Sequence, residues 1–292
     1  MKGRACLFGE VLYDLFPDGR RVLGGAPFNV AWNLAALGAD PLLLSRVGTD
    51  SAGSSVRNAM RIWGLGDSGL QNGPGEHTGQ VRIDIEEGEP VYEIVHPVAW
   101  DAIAAPDPLP SCELLYHGSL AVRTRRSRET LELLRAANPG TVFVDVNLRN
   151  PWWDRHTVTS LLDGAHWAKF NQEELELLAP PGEDEESRAW ATIERHGLDT
   201  LLLTGGERGA VLFTSDGGCL RTKPSSRVEV VDTVGAGDAF AAVMILGILR
   251  QWPYQTSLDR AQALAAAVVG QRGATVHDRT FYEPFAAAWA GQ

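Results

Sequence analysis

The chain has 292 residues, 44% of them apolar, with 26 Lys plus Arg against 37 Asp plus Glu, a formal net charge of −11. That length fits one large α/β domain over 1–292, and that apolar content fills a sizeable core. The acidic balance argues against a nucleic-acid partner, and no run of about 18 apolar residues offers a membrane span. The first twelve residues hold two early cations but lack the apolar stretch of a signal peptide, so a cytoplasmic location is expected. Cys6, Cys112 and Cys219 are far apart and form no C-x-x-C pair. They read as small core hydrophobes, with no zinc ribbon or disulfide framework indicated.

Taken along the chain, apolar runs predict buried strands over 5–9, 41–47, 114–117, 142–146, 166–170, 200–204 and 210–214. Amphipathic or Ala-rich patterns predict helices over 28–37, 51–63, 127–137, 173–178, 185–196, 238–250 and 258–270. The acidic run Glu183-Asp184-Glu185-Glu186 suits a solvated helix start. This alternation predicts a mostly parallel sheet with helices on both faces, and such sheets take ligands at the carboxyl ends of their strands. Two segments depart from it, at about 10–24 and 78–97. Each reads as a pair of short strands around a turn, Pro17-Asp18-Gly19 in the first and Glu87-Gly88-Glu89 in the second. In the second, Val81, Ile83 and Ile85 alternate with Arg82 and Asp84, the period of a half-buried strand. The four strands predict a small β-sheet that serves as a lid or a dimer surface.

The most informative stretch is Val230-Val231-Asp232-Thr233-Val234-Gly235-Ala236-Gly237-Asp238-Ala239-Phe240. It reads as strand, glycine loop and helix start, which aims backbone N–H groups at an anion. It is not a Walker A loop, and Phe240 stands where a dinucleotide fingerprint needs its third glycine. Asp238 would repel a resting phosphate. It makes sense where negative charge develops in a reaction while the carboxylate takes a proton from an attacking hydroxyl. The plain alternative is a helix N-cap. Earlier in the chain, Gly24-Gly25-Ala26-Pro27-Phe28-Asn29 pairs two glycines with a helix-starting proline and a side chain that both donates and accepts.

In order, spacing and content these two segments resemble the signature regions of the ribokinase-like (PfkB) carbohydrate kinases. The resemblance runs over the whole chain. It includes Asp14, the run Asp145-Val146-Asn147-Leu148-Arg149, the run Asn171-Gln172-Glu173-Glu174, and Thr204-Gly205-Gly206-Glu207-Arg208-Gly209. It implies a three-layer α/β/α domain of Rossmann type with a β-lid, and ATP-dependent phosphorylation of a sugar hydroxyl. Asp238 then matches the general base, and Gly235, Ala236 and Gly237 the anion hole. Asp14, Gly24, Gly25 and Asn29 match the sugar-binding set, to which Asn147, Arg149 and the lid residue Arg82 are candidate additions. Asn171, Thr204, Gly205, Gly206, Gly209 and Ala266 match the nucleotide side. Glu174 matches a Mg²⁺ position reached through water, and Asp232 a position for a monovalent cation such as K⁺.

Within the family, Gly24 to Asn29, the run Tyr116-His117-Gly118-Ser119 and the Asp145 to Arg149 run look most like bacterial fructokinases. An Arg at position 149 suits the carboxylate of 2-keto-3-deoxygluconate equally well. A nucleoside kinase and a non-catalytic sugar-binding regulator remain as alternatives. A nicotinamide oxidoreductase is disfavoured by the missing glycine fingerprint. His117 and Trp152-Trp153 read as core residues rather than ligand contacts. The implied partners are a sugar and ATP, with no nucleic acid or membrane, and a homodimer through the lid.

Overall fold

The computed structural model describes residues 4–86, 89–137, 140–224 and 230–290. The first apolar run forms β1 (Ala5–Phe8), whose side chains alternate between two cores: Ala5 and Leu7 join one, Cys6 and Phe8 the other. After it come β2 (Leu12–Leu15), β3 (Arg21–Gly24), α1 (Ala26–Ala36), β4 (Leu42–Gly48), α2 (Ser51–Trp63), β5 (Leu70–Gly73), β6 (Gly79–Glu86) and β7 (Glu89–Ile94). The middle of the chain gives β8 (Leu114–His117), α3 (Arg125–Ala137), β9 (Thr141–Asp145), α4 (Arg155–Leu162), β10 (Trp167–Asn171), α5 (Gln172–Leu178) and α6 (Glu185–His196). The last third gives β11 (Thr200–Thr204), β12 (Ala210–Thr214), β13 (Cys219–Thr222), α7 (Ala236–Arg250), α8 (Tyr254–Val269) and α9 (Glu283–Trp289).

Among the described residues, nine strands form one sheet in the order β13-β12-β11-β10-β9-β8-β1-β4-β5. It is parallel from β5 to β11 and antiparallel at the β12 and β13 edge. On one face α1, α2, α7 and α8 close a core around Phe28, Trp32, Met60 and Met244. On the other, α3, α4, α5 and α6 close a second core around Leu134, Val158, Leu175 and Ile193. The expected three layers are present. Helix α7 is buried from Ala239 to Gly247, which is why it is apolar all round rather than striped.

The second sheet has the order β3-β2-β6-β7. Its β2–β6 pairing is parallel and the other two are antiparallel. Val81, Ile83 and Ile94 are buried in the second core, so this sheet lies against the main body by one face. The expected turn at Glu87 and Gly88 lies outside the described residues.

Several expectations need correction. The run before Gly235 is no strand where it is described: residues 230–233 are irregular, Val230 and Val231 are exposed, and 225–229 lie outside the described residues. Helix α7 starts at Ala236 and α8 at Tyr254, earlier than their apolar patterns suggest. Cys6 and Cys112 form a disulfide with Cα atoms 5.8 Å apart. The pairing of β1 with β8 brings them together, since Ala5 faces Leu114 and Glu113 N–H bonds Arg4 O. Cys219 is exposed on the edge strand β13 rather than in a core.

Candidate active site

The carboxyl ends of the parallel strands converge on the N-termini of α1 and α7. Gly235 caps α7 with φ 82, and a Cβ there would collide with the carbonyl oxygen of Ala274. Glycine is therefore required by conformation and by space. The next turn presents Ala236, Gly237 and Asp238, whose N–H groups belong to the helix end that lacks intrahelical acceptors.

Asp238 sits in that turn, half-buried. Asn29 Nδ2 donates to its Oδ2 at 2.8 Å. Asn29 is placed by the sharp entry to α1, where Gly25 at φ 110 is the cap and a Cβ would stand 2.6 Å from Glu10 O. Gly24 completes the cluster: a Cβ on it would lie 3.8 Å from both Asn29 Oδ1 and Asp14 Oδ2. Asp14, Gly24, Gly25, Asn29 and Asp238, drawn from β2, β3, α1 and α7, are thus brought to one place.

Charge in this pocket is finely divided. Burial pushes the Asp238 carboxyl up to about 6; the Asn29 hydrogen bond opposes that, Asp145 adds to it, and Lys169 and Arg149 oppose it. Burial also pushes Asp14 up to about 6, against the pull of Arg149. Arg149 is exposed and donates to Leu148 O at 3.2 Å, but its charge reaches Asp14 and Asp238 together. The nearby Asp154 caps α4, accepting from Thr157 N–H at 2.8 Å. Asn147 adopts φ 40, and its carbonyl lies 3.5 Å from Ser119 Oγ, at the same strand edge.

Arg82 is not brought in. In the β2–β6 register Asp14 faces Val81 and Leu15 faces Arg82, so Arg82 lies on the opposite side of the lid from Asp14. It is exposed and pairs with Glu93 at 3.1 Å. Tyr92 is likewise exposed. His117 is a core residue: burial holds its imidazole down at about 3, and Nδ1 lies 3.0 Å from Gly118 O. Trp152 and Trp153 pack against the second core.

The nucleotide side of the expectation is also a single edge. Asn171 ends β10 opposite Thr204 at the end of β11. The loop Gly205, Gly206 and Gly209 closes on itself through Gly205 N–H to Gly209 O at 2.8 Å and Gly209 N–H to Gly206 O at 3.0 Å. Val231 and Asp232 N–H both bond Val269 O, joining the segment before Gly235 to the end of α8, one turn beyond Ala266. Asp232 accepts from Val234 N–H at 3.0 Å and from Gly273 N–H at 2.9 Å, which ties together the two loops on either side of Gly235.

Glu174 has both oxygens engaged. Oε1 accepts from Leu148 N–H at 2.9 Å and Oε2 from Asn171 N–H at 2.8 Å, while Asn171 Oδ1 accepts from Glu174 N–H at 2.8 Å. It is a capping box that also fastens the loop carrying Arg149. Among the described residues no group of three or more His, Cys, Asp or Glu forms a metal cage. A divalent ion that keeps most of its waters, as Mg²⁺ does, is compatible with this edge.

The chain compares closely with known proteins. Residues 7–280 match the model of the pfkB family carbohydrate kinases. The chain belongs to the PfkB family of carbohydrate kinases. A fructokinase from Klebsiella pneumoniae is 31% identical over 266 residues, covering 85% of each chain. A Vibrio cholerae fructokinase, solved with fructose, ADP and calcium ion bound, superposes with a TM-score of 0.81 at 25% identity over 97% of this chain and 98% of that one. An aminoimidazole riboside kinase from Salmonella enterica, solved with aminoimidazole riboside and an ATP analog, gives a TM-score of 0.83 at 25% identity over 97% and 99%. The enzyme is a carbohydrate kinase with the ribokinase-like fold, and no described helix is long and apolar enough to cross a membrane.

Two buried groups of this PfkB kinase escaped the sequence reading. Glu10 follows Gly9 beyond β1, is 3% exposed, and has an Oε2 with no hydrogen-bond partner among the described residues. Burial pushes it up to about 7, its own and the Ala26 backbone N–H groups and Arg149 pull it down, and Asp238 adds to the rise. Lys169 stands in the buried strand β10 and bonds both oxygens of Asp145 at 2.9 Å. A cation inside an otherwise apolar strand, and an acid at the ligand edge of the first strand, were the available signals.

Proposed function

We propose that this kinase transfers the γ-phosphoryl group of ATP to a primary hydroxyl of fructose. The observation that carries the reading is the placement of Asp238 in the first turn of α7, bonded to Asn29 and beside Asp14 and Gly24. Asp238 takes the proton of the attacking hydroxyl. Asp14 and Asn29 orient the sugar, Gly24 and Gly25 let it approach the backbone, and Asn147 and Arg149 border it. The N–H groups of Gly235, Ala236 and Gly237 receive the charge that develops on the transferring phosphoryl. Asn171, Thr204, Gly205, Gly206, Gly209 and Ala266 border the nucleotide. Mg²⁺ travelling with ATP supplies positive charge, and Asn171 and Glu174 are the side chains we assign to its waters. Asp232 is assigned to a K⁺ site beside the anion hole. The exposed Ile85, Val91 and Tyr92 of the lid support a dimer through that sheet in a cytoplasmic enzyme.

Fructose is favoured by the likeness to fructokinases. A second reading, a nucleoside as acceptor, is favoured by the comparable likeness to the aminoimidazole riboside kinase. The deciding assay follows ADP release with Mg·ATP against fructose, ketodeoxygluconate, ribose, glucose, adenosine and aminoimidazole riboside. Turnover fastest with fructose is expected. Turnover confined to ketodeoxygluconate or a nucleoside overturns the acceptor, and none with any acceptor overturns the proposed reaction.

A further inference from the structure

Beneath the site lies an ion pair that the proposed reaction does not use. Lys169 Nζ bonds both Asp145 oxygens at 2.9 Å, and Tyr116 OH donates to Asp145 Oδ2 at 3.1 Å. The three side chains come from the adjacent strands β8, β9 and β10, with Lys169 in register with Asp145. All are buried: Tyr116 is 0% exposed, Asp145 1% and Lys169 8%. A buried pair of this kind adds little stability over a well-packed apolar pair of the same size, so its presence calls for another reason. Its location supplies one. The lysine head ends 3.6 Å from where a Cβ on Gly237 would stand, directly against the first turn of α7.

We propose that the Lys169–Asp145 pair is a positioning device for Asp238: the buried ammonium holds the neighbouring carboxyl ionised, and Asp145 keeps that ammonium charged while limiting its reach. This rests on the reading of Asp238 as the base. Among the described residues, Asp238 is surrounded by Glu10 beyond β1, Asp14 on β2, Asn29 on α1, Tyr116 on β8, Asp145 on β9, Arg149 in the loop after β9 and Lys169 on β10. Asp145 raises its affinity for a proton, whereas Asn29, Lys169 and Arg149 lower it. Arg149 is exposed, where water and salt screen it. Lys169 is fixed and dry, so its field persists. Burial weakens the lysine's own hold on its proton, but the charges of Asp145, Glu174 and Asp238 more than restore it.

The test reads the Asp238 carboxyl itself, by carbon-13 NMR titration with Asp238→Asn for assignment. Lys169→Met is expected to move its titration up by roughly one pH unit, and Asp145→Asn to move it down. A merely structural pair predicts the same outcome for both, since each breaks the same contact. A shared direction, or no movement in either, overturns the proposal. Either single variant that folds decides on its own sign. The double variant Asp145→Asn/Lys169→Met leaves no unpaired buried charge and is expected to fold. Because two opposing charges leave together, the double is expected to titrate near wild type; a displacement of a full pH unit in either direction overturns the proposal. The titration needs no turnover. Loss of the kinase reading therefore appears in the ADP assay alone, and loss of this one in the NMR alone.

Discussion

Asn29 and Asp238 lie 209 positions apart in the chain and meet through one hydrogen bond of 2.8 Å. The bond exists because α1 and α7 enter the same edge of the sheet, each through a glycine at positive φ. A donor on a carboxylate favours its charged form. Asn29 Nδ2 therefore favours the ionised form of Asp238, and in the proposed reaction Asn29 Oδ1, buried without a hydrogen-bond partner among the described residues, would accept from a substrate hydroxyl.

Asp238→Asn preserves shape and a contact with Asn29 but removes the proposed base. The expected outcome is a kcat below about 1% of wild type, since general-base catalysis contributes ~10²–10⁴-fold. In the wild type, kcat/KM should rise with pH through the region near 6 where Asp238 ionises. A variant retaining more activity, or a profile flat from pH 5 to 8, contradicts the assignment.

Glu10 gives a stability prediction with a definite sign. Its folded value, about 7, is raised above the ordinary 4.5, so the fold prefers the protonated acid. The advantage of that preference is full below about 4.5 and lost as pH rises through about 7. Glu10→Gln is therefore expected to change stability little at pH 4 to 5. Above pH 7 it should stabilise by about 3 kcal/mol, at 1.36 kcal/mol per pH unit. Urea titrations of both proteins across pH 5 to 8.5 check this, and a constant difference would count against it.

Much of this was legible because the physics behind it is local. Buried parallel strands write themselves as apolar runs, and glycines at positive φ mark where the chain turns sharply beside a ligand. What stayed hidden was set by tertiary context. β5, with Gln71 and Asn72, and β13, with Cys219 and Arg221, are short polar edge strands whose pairing comes from their neighbours. α4 contains Thr157, Val158, Thr159 and Ser160, poor helix formers held by the Asp154 cap. Arg82 shares a strand with the buried Val81 and Ile83, but alternation alone could not say which face was covered. Glu10 and Lys169 became visible only once burial and neighbours were known.

Gly235 and Gly237, the proposed anion-hole glycines, should fail in different ways. Gly235→Ala forces a side chain onto φ 82 and against Ala274 O, so a loss of roughly 1–3 kcal/mol is expected along with activity. Among the described residues Gly237 has only Lys169 Nζ near its Cβ position, at 3.6 Å, and it sits in ordinary helical backbone. Gly237→Ala should keep or slightly raise Tm, yet lower kcat by obstructing the phosphoryl group. Equal stability losses in thermal melts would contradict this contrast.

Arg149 and Arg82 are both exposed arginines, and their variants should separate cleanly. Arg149 lowers the proton affinity of Glu10, Asp14 and Asp238 at once. Arg149→Gln should therefore shift the acidic limb of kcat/KM to higher pH and lower its plateau by about tenfold or more, the scale of one lost charge-assisted contact. Arg82 faces away from Asp14 and pairs with Glu93 in water, an arrangement worth little to stability or to the site. Arg82→Ala should leave kcat/KM within about twofold and Tm unchanged. Steady-state kinetics of the two variants across pH 5 to 9 decide it: comparable losses in both would mean that the lid turns its Arg82 face to the sugar in the working enzyme.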